Sequence, residues 1–359
     1  MLALVTIVLV LVVPSEALAW GPLAHVHFGT TFLEQSLPAI NAGLAALLSR
    51  NLRDFLYGTL AADVILRKNA ASYLHHCHNW LNVLRLFKVA DTDARRAFLH
   101  GYMAHLAADV VAHNAFVPMK RIESFDGRVA GHALWEIRVE RFMRSRGDAL
   151  DHLRDLSKAD MSDHDRFLGR FLLGTVIKDF SLNKRIFDGV LGLQTMKRWE
   201  RVVAFMGDVS RFAMLEADLA VYEREVHGRL AELFRDPEGN PLGHVDPRGS
   251  LAMAVAGEIR AELQKLMQLK LLGHTHPEDV RALFQPFFLS VARGESVVVP
   301  NLSELFSLVE PGSGRPPRGK RLLARVVARA RDQARLRKEE RRARKDDRRQ
   351  RKIDTEVTE

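Results

Sequence analysis

Between Ala104 and His113 an otherwise apolar, helix-forming run (Leu106, Ala107, Ala108, Val110, Val111, Ala112) carries three polar residues, His105, Asp109 and His113. They stand at i, i+4 and i+8. Steps of four residues advance only about 40° beyond a full turn, so all three project from one helical face. Burying a carboxylate and two imidazoles on such a helix is costly unless something pairs with them. A divalent cation is the simplest partner, since neutral imidazole and ionised carboxylate are its usual ligands.

The rest of the histidine distribution points the same way. His132 and Glu136, in Gly-His-Ala-Leu-Trp-Glu, repeat the i, i+4 geometry about one helix later, and His75-His76-Cys77-His78 lies upstream. One such pair alone is an ordinary surface arrangement; two in succession with a histidine cluster predict a metal centre. Cys77 is expected to be a bystander among nitrogen and oxygen ligands. His100 falls off the ligand face and reads as structural. His164-Asp165, flanked by Ser162, Asp163 and Arg166, reads as a solvated helix start, and His274 and His276 precede a helix N-terminus signal at Pro277-Glu278-Asp279.

After residue 20 the apolar pattern is helical nearly throughout, as in Pro38–Leu48, Ala94–Ala112, His132–Arg144 and Arg198–Phe234. Val297-Val298-Val299 reads as a loop or a short extended piece. Gly and Pro cluster at 236–249, a long surface loop, and at 311–319, a linker. The fold class is all-α. No apolar run reaches the roughly 18 residues of a spanning helix, which excludes a multi-pass membrane protein. The lone Cys77 excludes an internal disulfide. The net charge of +9 belongs to one end: residues 315–359 carry 18 Lys+Arg against 8 Asp+Glu, and the other 314 residues sum to −1. That tail reads as a solvated, basic segment.

The N-terminus carries a targeting pattern. An apolar stretch from Leu2 to Val13 is followed by Pro14 and then Ala17-Leu18-Ala19, the layout of a secretory signal peptide. Cleavage after Ala19 starts the mature chain at Trp20 and predicts a secreted or periplasmic protein.

Taken in order, Trp-Gly-x-x-x-His at that mature terminus, a solitary Asp, a His, His-x-x-x-Asp and finally His-x-x-x-Glu resemble the zinc-dependent phospholipase C family over roughly residues 20–200. The resemblance implies a multi-helix domain with a trinuclear metal cleft. It places one metal on Trp20 (through its α-amine and carbonyl), His25 and Asp109, with His27 as the alternative to His25. A second metal falls to Asp63, His78, His105 and the bridging Asp109, with His76 as the alternative to His78. The third falls to His113, His132 and Glu136. Two to three Zn2+ ions are implied, with Asp63 and Asp109 as the catalytic carboxylates. Asp63 would orient or deprotonate the attacking water, unless it is purely a ligand or caps a helix.

Departures from the family pattern are informative. The short step from Trp20 to His25 and the His-x-x-Trp-acid ending are also similar to the zinc-dependent nucleases of fungi and plants, which share the fold. No β-sandwich lipid-binding domain follows. The expected organisation is therefore a signal peptide at 1–19, the phospholipase C-like domain at 20–200, a helical extension packed on it at 201–310, and a linker with a basic tail at 311–359. The expected function is metal-dependent phosphodiester hydrolysis, with phospholipid the first substrate. Nucleic acid is the alternative, and a non-catalytic metal-stabilised helical protein the third reading. No Ser-His-Asp, Walker-type or dinucleotide motif competes. The tail suits an anionic membrane surface, and no obligate protein partner is evident.

Overall fold

A computed structural model of the chain describes residues 20–64, 77–125, 131–146, 148–170, 180–196, 199, 201, 216–268 and 277–300. The expected leader, His75, His76, His274, His276, the 311–319 linker and the basic tail lie outside the described residues. The chain divides into two compact units, Met1–Gln264 with His276–Val299, and Lys265–Thr275 with Pro300–Glu359. Nearly all of the second lies outside the described residues, and the architecture below is that of the first. Among the described residues every regular element is helical, so the all-α expectation holds. No helix among them is long and apolar enough to cross a membrane.

The helices in chain order are α1 (Pro22–Ser36), α2 (Ala42–Arg50), α3 (Leu52–Gly58), α4 (Trp80–Phe87), α5 (Asp93–Val111), α6 (Val117–Glu123) and α7 (Gly131–Arg144). There follow α8 (Ala149–Lys158), α9 (Ser162–Gly169), α10 (Phe180–Gln194), α11 (Glu216–Arg235), α12 (Ser250–Gln268) and α13 (Pro277–Ala292). Helix α5 is the inner one. Thr92 caps it by accepting the Arg95 N–H at 3.2 Å, and from Ala97 to Val111 only His100 escapes full burial. A helix apolar on every side must be surrounded, and α1, α3, α4 and α11 pack around it.

The α3–α5 crossing is the closest of these contacts. A Cβ on Gly58 would fall 1.9 Å from the Phe98 carbonyl oxygen, and one on Gly101 would fall 1.9 Å from that of Phe55. Only glycine at both positions lets the two backbones meet. The crossing delivers Thr59 and the short 3₁₀ turn Ala61–Asp63 to the part of α5 one turn beyond Gly101, where His105 stands.

Helix α5 passes into α6 through a single π-helical turn, Ala112–Phe116, just ahead of Pro118. Proline offers no N–H to the preceding turn and crowds the carbonyl four residues back; the wider turn sits where that bond would be missing. Asn114 secures it, its side-chain N–H groups donating to the carbonyls of Val110 at 2.9 Å and Asp246 at 2.8 Å.

The C-terminal helices close the core. Helix α11 buries Leu219, Tyr222, Val226, Leu230, Leu233 and Phe234 against α1 and α5, with Phe234 stacked on Phe32 at 4.5 Å. Helix α13 packs on α6 and the π turn. Between them lies a buried charge cluster: Lys120 meets Glu123 at 2.7 Å and Asp218 at 3.7 Å, and Arg281 bridges the same two carboxylates. The 236–249 segment departs from the expected surface loop. Its start is exposed, but Leu242 is fully buried, the Val245 carbonyl accepts the Trp80 indole N–H at 3.0 Å, and Gly249 (φ +61°) abuts the His113 carbonyl. The segment is a brace on the centre described next.

Candidate metal centre

Asp109 sits at the middle of a buried group of histidines. Its Oδ2 lies 2.7 Å from His78 Nε2, 3.2 Å from His105 Nε2 and 3.8 Å from His113 Nε2. Its Oδ1 lies 3.6 Å from His25 Nε2. Asp63 Oδ1 approaches His78 Nε2 at 3.6 Å and His105 Nε2 at 3.9 Å. These side chains come from α1, the 3₁₀ turn after α3, the residues before α4, α5 and the π turn. None is more than 6% exposed.

The tautomer of His105 follows from its other nitrogen. Nδ1 lies 2.7 Å from the Thr59 carbonyl, which can only accept, so Nδ1 carries the proton and Nε2 presents a lone pair inward. A hydrogen bond from the far ring nitrogen to a carbonyl is how metal-ligating histidines are held. His78 Nε2 is 3.1 Å from His105 Nε2, and the His25 and His105 rings stack at 3.9 Å. Burial pushes the Asp109 carboxyl up, but the positive charge and N–H bonds that the His105 and His78 rings bring to Oδ2 when protonated pull it well below the usual carboxylate range. It is therefore the anion, the form that coordinates.

The donor set fits divalent cations. Asp109 Oδ1 is buried and accepts no hydrogen bond among the described residues. Two groups bring one donor atom per residue within 4.8 Å of each other: His25, His105 and Asp109, and Asp63, His78 and His105. Lone pairs of imidazole nitrogen and carboxylate oxygen converging in a dry interior repel one another unless a cation lies between them.

The structure brings together six of the residues read from the sequence: His25, Asp63, His78, His105, Asp109 and His113. Trp20 is fully buried beside them. Its indole N–H donates to the Ala108 carbonyl at 3.0 Å and its ring stacks on Phe116 at 4.7 Å, which ties residue 20 to the helix next to Asp109. His132 and Glu136 stand on α7; their side chains lie outside the described residues. His27 faces away from the cluster, toward Glu223 and His227, where burial lowers its pKa.

Cys77 stands in neither group of converging donors; its Sγ lies 3.4 Å from His78 Nδ1 and backs that ring. One expectation about the histidines needs correcting. His164 is not at a solvated helix start: it is buried, pairs with Asp54 at 2.6 Å and stacks on Phe98 at 4.5 Å. His100 is structural as expected, held against Phe87 and Phe234, where burial lowers its pKa to about 4. Sequence reasoning missed the Thr59 carbonyl, the π turn and the 240–249 brace. Trp80, two residues after His78, and the Gly-rich end of the loop were the available signals.

Residues 24–181 match the family described as zinc dependent phospholipase C. That segment belongs to the family. It contains every ligand read from the sequence except Trp20, which precedes it by four residues, and it ends before α11, α12 and α13 begin. No curated protein and no solved structure matches the chain.

Proposed function

We propose that the protein is a secreted, zinc-dependent phosphodiester hydrolase that cleaves phospholipid in the manner of a phospholipase C. The products are diacylglycerol and a phosphorylated headgroup. The observation that carries this reading is the convergence of His25, Asp63, His78, His105 and His113 on Asp109, inside the phospholipase C-family segment. Asp109 would hold two ions at once, one shared with Trp20 and His25 and one with Asp63, His78 and His105. His113, His132 and Glu136 would hold a third.

Bound zinc supplies Lewis-acid chemistry, neutralising phosphoryl charge and making water a usable nucleophile near neutral pH. The protein's own groups set up that chemistry. Thr59 fixes the His105 tautomer, Asp63 would orient the attacking water or take its proton, and the dry packing around Asp109 would strengthen every charge interaction at the site. Water adds to phosphorus, the bond from phosphorus to the glycerol oxygen breaks, and the departing alkoxide is protonated. The leader at 1–19 would direct export. The basic tail would hold the enzyme to anionic lipid, at about 1 kcal/mol for each Lys or Arg near the surface.

The chain processed to begin at Trp20 is tested against phosphatidylcholine and single-stranded DNA, each with and without chelator. Chelator-sensitive release of phosphorylated headgroup is the expected result. Turnover of DNA alone would favour the nuclease-like reading that the short Trp20-to-His25 step suggests, and metal content without turnover on either would leave a metal-stabilised helical protein.

A further inference from the structure

The N-terminus of α1 is capped by a residue from far along the chain. Gly21, the N-cap, has no side chain to offer, and Pro22 follows with no N–H. The first free donors are the N–H groups of Leu23 and Ala24, and both go to one carboxylate, that of Glu140, at 3.3 and 3.0 Å. Glu140 is buried. It is wedged so tightly that a Cβ on Gly21 would lie 2.4 Å from its carboxyl carbon. His25 is the next residue, its N–H bonded to the Gly21 carbonyl, and its imidazole faces Asp109. A shift of the first turn of α1 therefore moves His25 and Trp20 together. Glu140 also continues the register of α7 in steps of four from His132 and Glu136.

We propose that Glu140 is a positioning residue for the metal centre, capping α1 so that His25 and Trp20 meet Asp109, and tying them to the helix that carries His132 and Glu136. Nothing else among the described residues accepts these two N–H groups. A buried carboxylate at a helix N-terminus opposes the partial positive charge of the free N–H groups, which fixes the axial position of α1 as well as its direction. The proposal rests on the reading of His25 as a metal ligand.

The test uses the processed, full-length protein and zinc itself as the probe. Tightly held zinc is counted after chelator competition in wild type, Glu140→Gln, His25→Ala and the double variant. Glu140→Gln keeps the size of the side chain and one acceptor oxygen, and should fold where Glu140→Ala fails. Glu140→Gln is expected to weaken one zinc by about 10- to 100-fold, the usual effect of losing a group that orients a ligand. His25→Ala should lose the same zinc, and Glu140→Gln should cause no further loss in that background. Cobalt substituted at the site should show an altered visible spectrum in Glu140→Gln. Wild-type zinc affinity and cobalt spectrum in Glu140→Gln, with only a lowered melting temperature, would make the cap purely structural and overturn the proposal. So would an equal additional zinc loss in the His25→Ala background. A wild-type protein that binds no zinc would instead take down the underlying reading of His25, and the proposal with it.

Discussion

At the scale of single residues the centre turns on Asp109, whose two oxygens lie within 3.8 Å of four imidazoles. Asp109→Asn preserves shape but removes the charge and the second shared lone pair. The purified variant should hold at least one zinc fewer than wild type, and headgroup release should fall at least about a hundredfold, equivalent to about 2.7 kcal/mol of barrier. Metal analysis beside a turnover assay checks both, and an unchanged zinc count would remove Asp109 from the ligand set. A second expectation concerns His100, whose pKa burial lowers from 6.5 to about 4. Below pH 6.5 the unfolded chain takes up a proton that the folded chain refuses. The stability contribution is therefore intact above pH 6.5 and erodes down to about pH 4, by about 3 kcal/mol in all. His100→Leu should flatten that limb, read as the difference in urea unfolding free energy between pH 7 and pH 4.5. If both proteins lose stability equally, His100 is not the acid-sensitive group. Of these residues, His105, Asp109 and His113 were legible because a period of four stands out against apolar neighbours. Asp63 showed only through its order in the family. Glu140 was invisible, since a cap contact across 116 residues leaves no local pattern.

Elements position the centre through contacts that are hard to see one segment at a time. The helical period of α5 could be read, but its passage through a π turn could not, because the extra residue per turn depends on the packing of Asn114 against Val110 and Asp246. The 236–249 segment was misread for a related reason. Its Gly and Pro content marks turns, yet turn chemistry says nothing about whether the turns face outward. Gly249 tests the brace. It has φ +61°, and a Cβ there would lie 2.0 Å from the His113 carbonyl oxygen. Gly249→Ala should cost about 1–3 kcal/mol of stability through the strained conformation alone, and should loosen zinc at His113 more than at the other ligands. Urea unfolding and stepwise chelator titration measure the two effects. A variant with wild-type stability would show that the segment merely lies over the π turn.

Over the whole molecule, the family segment and the folded unit are not the same length. The match ends at residue 181, whereas α11 buries six large side chains against α1 and α5, and α13 covers α6 and the π turn. A chain ending at Glu200 should therefore fail to pack. It is expected to keep much of its far-ultraviolet helical signal, lose its near-ultraviolet signal and bind a hydrophobic dye. A cooperative melt with full zinc content in that truncated chain would show that the later helices are accessory. The all-α class was open to the eye throughout, since nearly every segment repeats its apolar residues at helical spacing. Which helices cover which was not, because many apolar faces of similar width could pair.

The burial of Trp20 sets an order of events in time. Its ring is sealed between Phe28 and Phe116, with the indole bonded to α5, so residue 20 is anchored in the packed interior. A processing protease needs that stretch open, and cleaves a folded chain only in the rare moments when it opens. If the leader ends at Ala19, its removal belongs to the interval after translocation and before the core closes. The mature terminus, the folded core and the completed metal centre would then arrive in that sequence, which would keep an unprocessed chain from becoming an active hydrolase on the wrong side of the membrane.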